Sequence, residues 1–143
     1  MKIDEKQSDS SPSTTLDILG DKWNLLILRD MLFEGKSSFS EFKASKEKIA
    51  SNILTARLVK LDSEGYIIKT ASPSNKVKYL YSLSDKAIDL LPVFVEIFSW
   101  EQRQAIEPHC TNPALKKLKA NNSVTIAQYA GELKQRRATI LGF

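Results

Sequence analysis

Short side chains that can reach a base-pair edge occur together near the middle of the chain. They are Ser51, Asn52, Thr55 and Ala56. Side chains this small fit the major groove of DNA, where bulky apolar groups would neither fit nor discriminate between bases. Asn52 could pair with adenine at two points, and Ala56 could contact a thymine methyl group. A simply hydrated helix face has the same pattern, so that alternative stays open at this point.

Polar and cationic side chains around this segment could contact phosphates. The candidates are Ser38, Lys48, Arg57, Lys60, Asn75, Lys76 and Lys78. The whole chain has a formal net charge of only +4, with a pI near 9.1. Residues 36–60 contain six Lys or Arg against two Asp or Glu, and residues 66–82 contain three Lys and no acid. Positive charge in two neighbouring blocks favours a polyanionic partner, although a solvated surface would also explain it.

The sequence lacks the signatures of catalysis and of metal binding. It has one histidine and one cysteine, His109 and Cys110, with no partner acid or further ligand in view. No carboxylates are paired at a defined spacing, and the glycines form no phosphate-binding loop. We therefore expect no enzymatic activity, no metal and no cofactor. Cys110 is interpreted as an ordinary thiol, since one cysteine cannot form an internal disulfide.

Length and composition are those of one globular domain. The chain has 143 residues, of which 42% are hydrophobic and 27% charged, which argues against disorder. No apolar run approaches the roughly 20 residues of a membrane-spanning helix. The polar N-terminus does not resemble a secretory signal. The sequence predicts a soluble cytoplasmic protein without a membrane partner.

Local signals predict the helices that would position these residues. A short segment over residues 14–19 precedes Asp21, which can cap a helix that stops at Gly35. Ser38 and Glu41 have the spacing of a capping box and open a short second helix. A third helix is predicted over residues 50–64, with Leu54, Leu58 and Leu61 at helical spacing.

The pattern then changes to strands and back to helices. Residues 66–70 and 77–82 are rich in β-branched and aromatic side chains and predict a hairpin with a polar, basic tip. A long helix is expected from Ser84 to about Gln104, kinked at Pro92 and apolar on most sides. A domain this small can bury only part of that surface, which favours a second subunit. A final helix is expected over residues 123–141.

This order of elements is that of a winged helix-turn-helix. We predict a mainly α fold with a small β-hairpin wing (α+β), with dimerisation helices from the N-terminal and C-terminal segments. The recognition helix covers residues 50–64 and the wing residues 66–82. The expected divisions are a flexible arm (1–11), the winged-helix domain with its long helix (12–104) and a helical extension (105–143).

Several segments resemble the HxlR-type transcriptional regulators of bacteria, which are related to the MarR group. The matching segments are 16–30 (LDILGDKWNLLILRD), 39–42 (FSEF), 49–58 (IASNILTARL), 77–79 (VKY), 81–84 (YSLS) and 90–100 (LLPVFVEIFSW). Together the similarity spans about residues 12–101. It implies a homodimeric repressor that binds a palindromic operator in double-stranded DNA, and it makes Trp23, Ile97 and Trp100 candidates for a dimer or effector pocket.

Two features depart from that family. Many members carry a cysteine immediately before the proline near the start, and some sense oxidants through it, whereas this chain has Ser11 there. A hydroxyl cannot act as the thiolate that such chemistry requires. The extension over residues 105–143 exceeds the family core. Its apolar stripe is expected to pack across a dimer axis, with added phosphate contacts as the second possibility.

Another class of function also fits a winged helix. The fold could serve as a protein-interaction module that does not bind DNA. Such a module would need an apolar outer face on the third helix, and Ala56 with Val59 makes that face only weakly apolar.

Overall fold

The computed structural model describes residues 12–75, 77–104 and 123–141. The predicted arm over residues 1–11 and the candidates Lys76, His109 and Cys110 lie outside the described residues. Within these ranges the chain order is α1 (Pro12–Leu19), α2 (Lys22–Phe33), α3 (Phe39–Lys43), α4 (Ser51–Ser63), β1 (Ile67–Ala71), β2 (Tyr79–Leu83), α5 (Asp85–Ile88), α6 (Leu91–Arg103) and α7 (Ser123–Leu141). The mainly helical fold with one hairpin agrees with the sequence prediction.

The helix boundaries follow from capping interactions. The Asp21 carboxylate accepts a hydrogen bond of 3.0 Å from the Asn24 backbone N–H and so satisfies a free donor in the first turn of α2. Gly35 follows α2 with φ +67°, a left-handed conformation that glycine adopts without steric cost. Ser38 and Glu41 form the predicted capping box at the start of α3.

The core joins α2, α4 and the helices after the hairpin. Leucines that are at most 3% exposed line these contacts, and they are Leu28, Leu32, Leu54, Leu58, Leu61 and Leu91. The predicted leucine stripe of α4 is therefore its buried side, which leaves the opposite side of the helix in contact with solvent.

The hairpin is antiparallel and is fixed to the helical domain at its base. Ile67 pairs with Leu83 and Ala71 pairs with Tyr79. The backbone N–H of Tyr81 also donates a 2.7 Å hydrogen bond to the carbonyl of Ser37, in the loop before α3. Strand β2 thus connects the hairpin directly to the start of the helix-turn-helix.

The single kinked helix predicted after the hairpin is wrong. Helix α5 ends at Ile88, and α6 begins at Leu91 with Pro92 in its first turn. Proline is tolerated in a first turn because a backbone N–H there has no partner within the helix. Pro92 therefore marks the start of a new helix and does not bend a continuous one.

The final helix packs on the core of its own chain. Leu133 is 6% exposed, and Ile126 and Ala130 lie against the same core. The Tyr129 ring stacks on Phe33 with centroids 6.0 Å apart. Its hydroxyl donates a hydrogen bond to the Leu32 carbonyl. Burial raises the pKa of this phenol, so it remains a hydrogen-bond donor at neutral pH.

None of the helices within the described ranges is long and apolar enough to cross a membrane.

We predict that Leu133→Ala lowers the free energy of unfolding by about 2–5 kcal/mol, because it leaves a cavity between α7 and the core. Urea denaturation followed by circular dichroism measures this change. Val124→Ala, at a position 64% exposed on the same helix, should change it by no more than about 0.5 kcal/mol. Equal effects of the two substitutions would show that α7 does not pack on this core.

Candidate nucleic-acid interface

The outer face of α4 presents the four residues proposed to contact bases. Ser51, Asn52, Thr55 and Ala56 are all exposed. The Thr55 hydroxyl donates a 2.9 Å hydrogen bond to the Ser51 carbonyl, as threonine often does within a helix. The Asn52 side chain forms no hydrogen bond with another described residue, so its amide is available to a ligand in solution.

Arg57 lies on the edge of α4, where an ion pair already binds it. Its Nη2 is 3.0 Å from Asp21 Oδ2, and its Nε lies 3.1 Å from both carboxylate oxygens. Burial alone would raise the pKa of Asp21, but Arg57 and the Asn24 N–H outweigh it and hold that pKa below its usual value. Because the same carboxylate caps α2, Arg57 fixes α4 to α2, and we place it in the scaffold.

The other candidates on the helix-turn-helix have different surroundings. Lys60 is exposed and forms a 3.2 Å ion pair with Glu64 one turn later. Ser38 is engaged as the cap of α3. Lys48 is exposed in the turn before α4 and has φ +55°, a conformation that is uncommon outside glycine. Its side chain extends from the protein next to the N-terminus of α4.

The hairpin tip is ordered by local hydrogen bonds. Asn75 Oδ1 accepts a bond of 3.1 Å from the Val77 N–H, and the Asn75 carbonyl accepts one of 3.0 Å from the Lys78 N–H. The Lys78 side chain is exposed. Farther down, Lys69 Nζ lies 4.1 Å from the ring centroid of Tyr79. The described residues of the tip are thus polar and basic, and hydrogen bonds hold Asn75, Val77 and Lys78 together.

A network of charges that the sequence analysis missed lies beneath the helix-turn-helix. Asp30 is only 3% exposed, and its carboxylate is bound by Arg29 at 2.8 Å, by Lys36 at 3.1 Å and by the Ser45 hydroxyl. Arg29 in turn donates two hydrogen bonds of 3.0 Å to Glu47. The Arg29-Asp30 pair was the available signal, because residues 25–33 are otherwise apolar and charges in such a segment need partners.

This network connects three segments that the helix-turn-helix requires. Arg29 and Asp30 belong to α2, Lys36 to the loop after it, and Ser45 and Glu47 to the turn before α4. Hydrogen bonds from Arg29 hold the pKa of Glu47 below its usual value despite partial burial. Burial alone would lower the pKa of Arg29, but its hydrogen bonds to Glu47 and Asp30 outweigh burial and raise it, so the Arg29–Glu47 pair is charged throughout the neutral range.

A second surface lies on α6, away from the residues proposed to contact DNA. Val93, Ile97 and Trp100 are 42%, 40% and 52% exposed and line one open apolar depression with Pro92. Trp23 lines a different cleft, of about 10 Å³, between α2 and the turn. That volume holds about one water molecule. The three candidates for a dimer or effector pocket therefore do not line a common cavity.

Comparison with known families gives one match over most of the chain. The family model described as HxlR-like helix-turn-helix matches residues 18–109. Two regulators of Bacillus subtilis are similar over the same region. The uncharacterized HTH-type transcriptional regulator YvaP is 34% identical over 66% of this chain and 88% of its own length. YodB, also an HTH-type transcriptional regulator, is 32% identical over 64% of this chain and 80% of its own.

Solved structures show the same architecture. The crystal structure of PA1607, a candidate transcription factor, has a TM-score of 0.63 and 36% identity over 75% of this chain and 73% of that one. The reduced form of YodB has a TM-score of 0.54 and 26% identity over 69% of this chain and 91% of its own. The neighbours are winged-helix transcription regulators, which agrees with the fold class predicted from the sequence.

We predict that Glu47 stabilises the protein only while it is ionised. Its pKa in the folded protein lies below the usual 4.5, so this stability is present above that value and is lost as the pH falls through the folded pKa. Glu47→Gln should lower the free energy of unfolding by up to about 1 kcal/mol at pH 6. The difference from wild type should be smaller at pH 3, where more of the carboxyl group is protonated. Urea titrations at the two pH values measure it, and an equal difference at both would contradict the prediction.

Proposed function

The chain belongs to the HxlR-like helix-turn-helix family, and we propose that it is a homodimeric repressor that binds a palindromic operator in double-stranded DNA. Its similarity to HTH-type transcriptional regulators supports the general class of function. The observation that carries the proposal is the outer face of α4, where four small exposed side chains lie opposite a fully buried leucine stripe.

Helix α4 supplies the contacts to bases in this proposal. Its first turns enter the major groove, where the free amide of Asn52 pairs with adenine and the Ala56 methyl group contacts thymine. Ser51 and Thr55 complete the base-facing set. The ion pair between Arg57 and Asp21 holds α4 against α2. The helix is therefore already positioned before DNA binds, which lowers the entropic cost of binding.

Contacts to phosphates come from the residues around this helix. Lys48 precedes α4 and Lys60 follows the base-facing turns, while Asn75, Lys76 and Lys78 belong to the hairpin that acts as the wing. Such contacts set affinity and position and carry no sequence information directly. Ser38, at the start of α3, would donate to a phosphate in exchange for its bond to Glu41, and Arg57 contributes through its effect on α4.

The dimer is proposed to form through the apolar surface of α6. Val93, Ile97 and Trp100 expose large hydrophobic side chains on one face of this helix, and a contiguous apolar patch of this kind is typical of an interface. Two-fold symmetry places the two α4 helices about one turn of DNA, roughly 34–36 Å, apart. An effector that changes this spacing would regulate binding. This chain has Ser11 where some family members carry the cysteine that senses oxidants, so we expect no thiol switch at that position.

A protein-interaction module without DNA binding is the second candidate. The observation that favours it is Val59, a large apolar side chain 63% exposed on the outer side of α4. A protein partner would bury the Val59 side chain, whereas a DNA complex does not require Val59 to be buried.

We predict that Asn52→Ala weakens binding to the cognate operator by about 1–3 kcal/mol and reduces sequence preference, because it removes a contact to a base. Lys78→Ala should weaken binding to all sequences alike and lower the salt-dependence slope by about 1. Fluorescence anisotropy on operator and scrambled duplexes at several salt concentrations measures both effects. Lys134→Ala, on α7, is the control that should leave both values unchanged. Tight binding to a protein partner without salt-dependent DNA binding would favour the interaction module.

We predict that Ile97→Glu and Trp100→Glu convert the dimer to monomer, because each places a charge in the proposed apolar interface. Sedimentation equilibrium measures the mass. Val59→Glu introduces the same charge at a comparably exposed apolar position on α4 and should leave the dimer intact. A wild-type monomer, or a dimer that resists both substitutions on α6, would refute this interface.

A further inference from the structure

A small cavity lies where the final helix meets the base of the hairpin. Its volume is about 60 Å³, and it opens between the end of α2, strand β2 and helix α7. Family similarity ends at residue 109, whereas α7 covers Ser123–Leu141. One wall of this cavity therefore comes from a part of the chain that the family model does not include.

A buried polar group without a partner lies in the wall of the cavity. Ser82 is 4% exposed, it lines the cavity, and its Oγ forms no hydrogen bond with another described residue. A buried hydroxyl without a partner costs stability, and buried polar groups in folded proteins are nearly always hydrogen-bonded. Ser82 lies in the second strand of the hairpin and lines the cavity. A ligand in the cavity would therefore supply the missing hydrogen-bond partner.

Positive charge surrounds this hydroxyl. Lys36, Arg136 and Arg137 line the cavity, and none of the described acidic residues does. Lys36 and Arg137 are bound to Asp30 and Asp85, whereas Arg136 forms no ion pair with a carboxylate among the described residues. A Cβ built at Gly35 would lie 3.7 Å from Arg136 Nη1, which places the guanidinium across the end of α2. Arg136 interacts with the Tyr129 hydroxyl, so the site offers one cation without a carboxylate partner beside one unpaired hydroxyl.

We propose that this cavity binds a small organic carboxylate. The planar guanidinium of Arg136 suits a carboxylate, which can accept two parallel hydrogen bonds from it and a third from Ser82 Oγ. Met31, Leu133 and Ile140 provide an apolar wall for a short carbon chain. A cavity of 60 Å³ has room for roughly four water molecules, which corresponds to a carboxylate of about three or four carbons.

The position of the site connects it to the wing. Tyr81 is next to Ser82 in β2, and its backbone N–H donates a 2.7 Å hydrogen bond to the Ser37 carbonyl. Tyr81 and Ser37 both line the cavity. A ligand in the cavity would contact Ser82 on one side and residues of α2 and α7 on the other. It would thereby change the contacts that hold the hairpin against the start of α3. This regulatory consequence rests on the proposed DNA-binding function, whereas the ligand site itself does not.

The test is isothermal titration calorimetry on the full chain without DNA. The probes are propionate, butyrate and pyruvate, with inorganic phosphate as the other anion and chloride as the background, all at constant ionic strength. We expect saturable binding of at least one carboxylate at one site per chain. Ser82→Ala and Arg136→Gln should each weaken it about tenfold or more, because each removes a hydrogen bond to a charged group.

The controls separate loss of the site from loss of the fold. Lys134→Gln removes a charge from the same helix outside the cavity and should bind like wild type. Ser82→Ala removes only the unpaired hydroxyl and should keep or raise the melting temperature. Absence of saturable binding, binding of phosphate but no carboxylate, or wild-type affinity in both cavity variants would overturn the proposal.

A second measurement tests the regulatory consequence alone. The carboxylate that binds should change the dissociation constant for operator DNA in wild type and leave it unchanged in Ser82→Ala. If the protein without ligand fails to bind DNA, the proposed function fails while the calorimetric result stands. If the ligand binds and the DNA affinity is unaffected, the regulatory step is refuted.

Discussion

The helix-turn-helix depends on a buried carboxylate, Asp30, whose charge has to be compensated. An ionised group that is removed from water costs several kcal/mol unless it is paired and hydrogen-bonded. Here Arg29, Lys36 and Ser45 supply those partners from α2, from the loop after it and from the turn before α4. Displacement of that turn would remove the Ser45 hydrogen bond from Asp30 and the Glu47 partner from Arg29, so the network fixes the geometry from which α4 begins.

A second ion pair gives α4 its orientation. The leucine stripe decides which side of the helix is buried, but apolar contacts are not directional and allow some sliding along the axis. The bond between Arg57 and Asp21 is directional, and Asp21 also caps α2. The two helices are thereby held in one register. This explains how small side chains such as Asn52, which reach only a short distance, can be positioned accurately enough for contact with bases.

The sequence predicted the elements well because their signals are local. The cap at Asp21, the capping box at Ser38 and the leucine spacing of α4 each involve residues within one or two turns. The role of Arg57 could not be predicted in this way, because its partner lies 36 positions away in the chain. The sequence indicates a kink at Pro92, because proline inside a helix and proline in a first turn look alike until the preceding helix is known to end.

The final helix changes what the hairpin is attached to. In α7, Tyr129 bonds the end of α2, while Arg137 donates to the Leu83 carbonyl at 3.1 Å and pairs with Asp85 at 2.7 Å. One helix therefore contacts α2, β2 and the start of α5 together. Because interiors are closely packed, a small change in any of these contacts is transmitted to the others. At the base of the hairpin, α7, which lies beyond the family core, can therefore change the position of a hairpin that belongs to that core.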